Sequence, residues 1–158
     1  MPSGRAINPI TNTNWEGTGV VPHIEVPADH ALQVAQMMVL ESLSGKAKDD
    51  EMKHFYQWHL KAQKILYQPV VVEQAILKSY SGTYGERHVT LENEKLYYQR
   101  GARAKYELIP LSQNEFMLEG LSYFRIRFIT ENNKVVALDG LYDNGRKDKS
   151  TKTKQRPM

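Results

Sequence analysis

The sequence predicts an α+β chain in which a helical pair precedes an antiparallel β-meander curled into a half-open barrel. Two changes along the chain predict it. Up to Pro69 the apolar residues recur at helical spacing, and beyond Tyr80 they recur at every second position. The second half is also broken into short pieces by residues that favour turns: Glu92-Asn93-Glu94, Gly101-Ala102, Gln113-Asn114, Gly120, Asn132-Asn133 and Asn144-Gly145.

The first helix is expected over 28–44. Pro27 suits the position where the chain enters a helix, and Asp29 suits the positive end of the helix dipole. Ala31, Val34, Ala35 and Met38 form one stripe, flanked by Leu32, Val39 and Leu43, and Gly45 is the expected cap. So wide an apolar surface predicts packing against two neighbours. After a short polar link, Asp49 or Asp50 caps a second helix carrying Met52, Phe55, Tyr56, His59, Ala62, Ile65 and Leu66, which Pro69 ends. A link this short favours antiparallel packing of the two helices. Trp58 lies off the main stripe and is free to meet another part of the chain. A linker at 69–73 and a short helical turn at 73–78 follow.

Strands are then read from alternation: Val89/Leu91, Leu96/Tyr98, Tyr106/Leu108, Phe116/Leu118, Phe124/Ile126/Phe128 and Val136/Leu138. Six or seven strands in so little chain should curl around one apolar face. Tyr80, Tyr84, Tyr97, Tyr98, Tyr106, Phe116, Tyr123, Phe124, Phe128 and Tyr142 either fill this barrel or line a ligand pocket, and a sheet this small needs most of them inside. Arg125 and Arg127 fall on the opposite face, where solubility or a polar partner is their expected use.

Composition bounds the chemistry. The chain has 158 residues, 41% of them hydrophobic, enough for one modest core or two marginal ones. Cysteine is absent, which excludes disulfides and thiol catalysis. Net charge is +3, from 21 basic and 18 acidic residues. Much of the excess lies in 146–156, read as a solvated, frayed tail, with nucleic-acid or anionic-lipid binding as the alternative. No apolar run approaches membrane-spanning length. His23, His30, His54, His59 and His88 are scattered; His54 and His59, five apart, fall on different helix faces, so no metal site is expected. Ser3, Ser42, Ser44, Ser79 and Ser81 lack a nucleophile-elbow pattern and read as surface or capping residues.

The segment 4–27 is different in kind. Its glycines, prolines, Asn and Thr sustain no helix, and only Val20 to Val26 suits a strand. It reads as an ordered loop, the kind that serves a site. Its GRAINPIT, NWEGTGV and IEVPAD elements resemble the end of the catalytic domain of C-terminal-processing (tail-specific) serine peptidases, in the branch of the tricorn core protease and interphotoreceptor retinoid-binding protein. The likeness covers roughly the first 45 residues, about a quarter of the chain. Family members commonly carry Asp where this chain has His23, so the local cap that Asp makes is not expected here.

The resemblance implies a division into 1–45, the C-terminal segment of the peptidase catalytic domain; 46–72, helix and linker; 73–146, an accessory β-meander domain; and 147–158, a basic tail without fixed structure. The YSGTYG start at Tyr80 is itself similar to small β domains appended to such hydrolases. The family's serine and its activating base lie upstream of the motif, so the chain is expected to be the C-terminal part of a longer peptidase. That parent would cleave polypeptide through an acyl-enzyme and act outside the cytoplasm. The chain alone is expected to be inactive, with no cofactor, metal or nucleic acid, and to self-associate through surface that the missing core would cover. Glu16, in the Trp-Glu pair, either orients groups around the parent's serine, as the resemblance implies, or only stiffens its loop by accepting backbone amides. The retinoid-binding branch shows that this family's fold need not mean proteolysis. A non-catalytic ligand- or peptide-binding module is therefore the alternative.

Overall fold

The structure, a computed structural model, describes residues 7–11 and 22–153. Three α-helices precede an eight-stranded antiparallel sheet, an α+β architecture with a near-barrel meander. One 3-10 turn at Ala28–His30 leads into α1 (Ala31–Lys46), followed by α2 (Asp50–Tyr67) and α3 (Gln74–Tyr80). The start and cap of α2 follow the sequence: the Asp49 carboxylate accepts the Met52 amide at 2.7 Å. Gly45, however, lies inside α1 and does not cap it. Ala47 ends the helix in an extended conformation that runs directly to the Asp49 cap, so no left-handed residue is required there.

The expectation of two neighbours for α1 is not met among the described residues. Its principal contact is α2, and only Ser44 of α1 is buried. Leu32 is 67% exposed and Val39 56%, with Met38 and Leu43 also open to solvent.

The strands are β1 (Gly82–Tyr84), β2 (Arg87–Glu92), β3 (Lys95–Arg100), β4 (Lys105–Pro110), β5 (Glu115–Leu118), β6 (Leu121–Glu131), β7 (Lys134–Tyr142) and β8 (Lys147–Thr151). Each pairs with the next, and the first and last meet through a Tyr84–Lys152 bridge and a 2.8 Å bond from the Thr153 amide to the Thr83 carbonyl. The sheet therefore curls almost into a closed barrel. Asn93-Glu94 and Asn132-Asn133 take positive φ at both positions, the two-residue turn whose twist matches that of the flanking strands.

Two expectations change here. The basic tail, expected to be frayed, begins instead with β8, in which Asp148 and Ser150 alternate inward while Lys147, Lys149 and Thr151 face out. The lysines give this short edge strand the charged outer side that discourages pairing with other chains. Val136 was expected in the core, but an irregularity in the β6–β7 register beside Thr130 puts it out of phase, and Val135 packs against the core instead.

The inward residues form one cluster, with Tyr84, Leu96, Phe116, Leu118, Ile126, Phe128 and Leu138 almost wholly enclosed. Burying each such side chain stabilises the fold by roughly 1.5–3 kcal/mol, which favours closure over an open sheet. Helix α3 plugs one end. Leu77 and Tyr80 enter the core, and the Tyr80 ring stacks on Phe128 with centroids 4.0 Å apart and planes 4° apart. The Tyr80 hydroxyl donates to the Gln113 carbonyl at 3.0 Å, and Tyr84 donates to the Tyr80 carbonyl at 2.7 Å, so the plug is bonded to the barrel as well as packed in it.

Outside the barrel, α2 lies across β5 and β6. Trp58 donates its indole N–H to the Ser122 carbonyl at 2.6 Å, and the Arg125 guanidinium sits 3.7 Å from the Trp58 ring centroid while donating to the Trp58 carbonyl. Glu115, also buried, accepts from Lys61 and from Arg127, each at 2.7 Å. Arg125 and Arg127 do face outward, as alternation requires, but they serve the chain itself. Arg125 is 3% exposed, and burial brings its pKa down to about 10 against the opposing charge of Glu115. Burial also works against the charged form of Glu115, but hydrogen bonds from Lys61 and Arg127 outweigh it and hold the carboxyl below its ordinary range.

Candidate functional site: the open mouth of the barrel

The end opposite α3 has no plug among the described residues. It is ringed by the turns joining β1 to β2, β3 to β4, β5 to β6 and β7 to β8, and it opens onto a cavity of about 280 Å³. The walls are Tyr98, Tyr106, Leu118, Leu121, Phe124 and Tyr142; Tyr123 and three arginines, Arg100, Arg103 and Arg146, stand at the rim. Two of the arginines come from turns, since Arg103 lies between β3 and β4 and Arg146 between β7 and β8. Arg146 lies 4.1 Å from the Tyr142 ring centroid, a contact that limits where its guanidinium points.

Beneath the cavity lies a polar floor. Arg87, 3% exposed, reaches inward from β2 to Asp148 at 2.5 Å and to the Ser150 hydroxyl at 3.1 Å. Tyr142 donates to the other Asp148 oxygen at 3.1 Å. Burial of Asp148 opposes its charge, but the hydrogen bond and charge of Arg87, joined by the Tyr142 hydrogen bond and the charge of Arg100, together outweigh it and keep the carboxyl below its usual range. Gly140 makes room for the pair. A Cβ there would run into Asp148 and come within 3.0 Å of both Arg87 and Phe124. The ion pair thus occupies the inward place that a side chain on β7 would otherwise take.

The aromatic residues divide between the two uses expected of them. Tyr80, Tyr84, Tyr98, Phe116, Phe124 and Phe128 are core, whereas Tyr106, Tyr123 and Tyr142 are less buried and line the mouth. Tyr98 and Phe124 belong to both. Tyr97 faces outward, with the Lys105 ammonium 4.9 Å from its ring.

Glu16 and Ser3 lie outside the described residues. Of the other serines, Ser44 is buried in the helical pair and Ser79 donates to the Ile76 carbonyl at 2.6 Å. Ser81 and Lys152 line one groove beside α3, but Lys152 donates to the Ser79 carbonyl and the Ser81 hydroxyl makes no hydrogen bond. Among the described residues no serine hydroxyl is hydrogen-bonded to a histidine or lysine, and the hydroxyl–imidazole contact present, Thr83 with His88 at 3.4 Å, is long and exposed. Nor do the described residues gather three or more His, Asp or Glu able to hold a metal, and no described helix is long and apolar enough to cross a membrane.

The mouth and its floor were missed in the sequence, although a signal was present. Arg87 stands two residues before Val89, and Arg100 two after Tyr98, so each continues the inward register of its strand. A charge on an apolar stripe marks either a barrel end or a buried pair, and these two arginines mark one of each. Fold and site together define a helix-plugged antiparallel barrel with one open, cationic, aromatic mouth. No protein-family model, curated protein or solved structure matches the chain.

Proposed function

We propose that this chain is a non-catalytic binding module whose barrel takes a small ligand at its open mouth. One observation carries the reading: the end opposite the plug is an aromatic-walled cavity with its polar groups already arranged around it. Pockets that orient small molecules have this character, mostly apolar with a few convergent polar groups. At about 280 Å³ the cavity suits a compact ligand better than a long lipid chain. The test is a fragment screen on the full chain by NMR, following ring signals of Tyr98, Tyr106 and Tyr142. Hits should move these signals and leave Tyr80 and Phe128 unmoved, and Ala104→Trp at the rim should abolish them. A screen in which nothing reaches the mouth would end the reading.

The N-terminal motif favours a second reading for the setting of this module. In it, the chain is the closing and accessory part of a tail-processing-type serine peptidase, exported and acting on polypeptide, with Glu16 as an orienting acid. The chain by itself is then expected to label with no serine-directed fluorophosphonate, and stoichiometric labelling would overturn that. Self-association belongs to this reading too. Ile7, Ile10 and Ile24 are exposed, as are Leu32 and Val39 of α1, and a second copy is the simplest cover for such surface. Sedimentation across a concentration series should show dimer, and a strictly monomeric species at high concentration would reject it.

A further inference from the structure

We infer that the ligand of the barrel mouth is a small organic anion, its acid group held by Arg103 and Arg146 and its planar body lying against the tyrosines below. This rests on the binding-module reading and narrows it to a chemical class. Among the described residues, three arginines line the cavity and no acidic residue does. Of the acids near the mouth, Asp148 is engaged with Arg87 and Tyr142 and Glu86 with Arg100 at 3.4 Å, while Glu119 and Asp143, in the turns from β5 to β6 and from β7 to β8, do not line the cavity. Among the described residues, no carboxylate lies within ion-pair distance of Arg103 or Arg146. Their charges therefore face an apolar recess without a counter-ion among the described residues. Low-dielectric walls strengthen the pull of such charges on an incoming anion, and a concave site concentrates it. The guanidinium fork suits the two oxygens of a carboxylate, and the tyrosine faces suit a flat ring. Arg146 needs little ordering, because its stacking on Tyr142 already restricts it.

The experiment compares indole-3-acetate with its neutral isostere indole-3-acetamide on the full chain, by calorimetry and NMR. One charge-assisted contact should make the acid bind about tenfold tighter at low salt. The advantage should shrink as salt screens the rim. The double variant Arg103→Gln/Arg146→Gln should bring the acid down to the level of the amide, and its melting should stay close to the parent's because neither side chain is buried. Equal binding of acid and amide at the mouth would overturn the inference and leave the binding module standing. A preference for the acid that survives the double variant would also overturn it. If neither compound reaches the mouth, while the fragment screen finds other ligands there, only the inference falls; if the screen is also empty, both do.

Discussion

The two ends of the barrel are built from the same strands and differ in what completes them. At the α3 end, inward positions are apolar and a helix supplies the missing stopper, so Tyr80 finds a ring to stack on and a carbonyl to bond. At the mouth, inward positions turn polar: Arg87, Arg100, Tyr142 and Asp148 take the places where apolar residues would close the core. Alternation alone fills a barrel's waist. The ends are decided by which residues carry the inward register past the last core layer, one end becoming a lid and the other a recess.

The largest effect that tests this contrast is at the plug. Tyr80→Ala should destabilise the chain by about 3–5 kcal/mol, as large-to-small changes at buried aromatic sites do. Urea unfolding measures it, and a loss below about 1 kcal/mol would mean that the plug is not part of the core. At the mouth, Gly140→Ala should cost about 1–3 kcal/mol, since the added methyl must displace Asp148 or Phe124 from a filled layer. Loss of the Tyr142–Asp148 coupling in NMR should accompany it, and parent-like melting would show that the floor has slack.

Acid gives the smallest and most selective effect. The Asp148 carboxyl is held below its ordinary range in the folded chain, so its contribution is full above the unfolded value near pH 4 and is lost as pH falls through the folded value. Asp148 is partly exposed, so the change should stay below about 1 kcal/mol. Tyr142 signals should shift below pH 4 before those of Tyr80 and Phe128, and Asp148→Asn should remove the shift. Simultaneous movement at both ends would mean that the ends are not independent.

Much of the barrel was legible because a period of two is local. Leu96/Tyr98 and Phe116/Leu118 face inward wherever their strands go, and the Asn-containing turns fix where the strands reverse. The sequence likewise carried the Asp49 cap and the end of α2, which depend only on near neighbours. What it did not carry was every relation across long separations. Trp58 and Arg125 are 67 residues apart, and Arg87 and Asp148 are 61 apart, with no local pattern linking either pair. Val136 left the core because of a register irregularity between strands, and the supposed tail became β8 because β7 offered it an edge. The sequence by itself thus determined which face of each strand is apolar and where the chain turns. Tertiary structure alone decided which charges meet, which end is stoppered and where a recess is left, because those outcomes depend on closure of the sheet and no single segment contains that information.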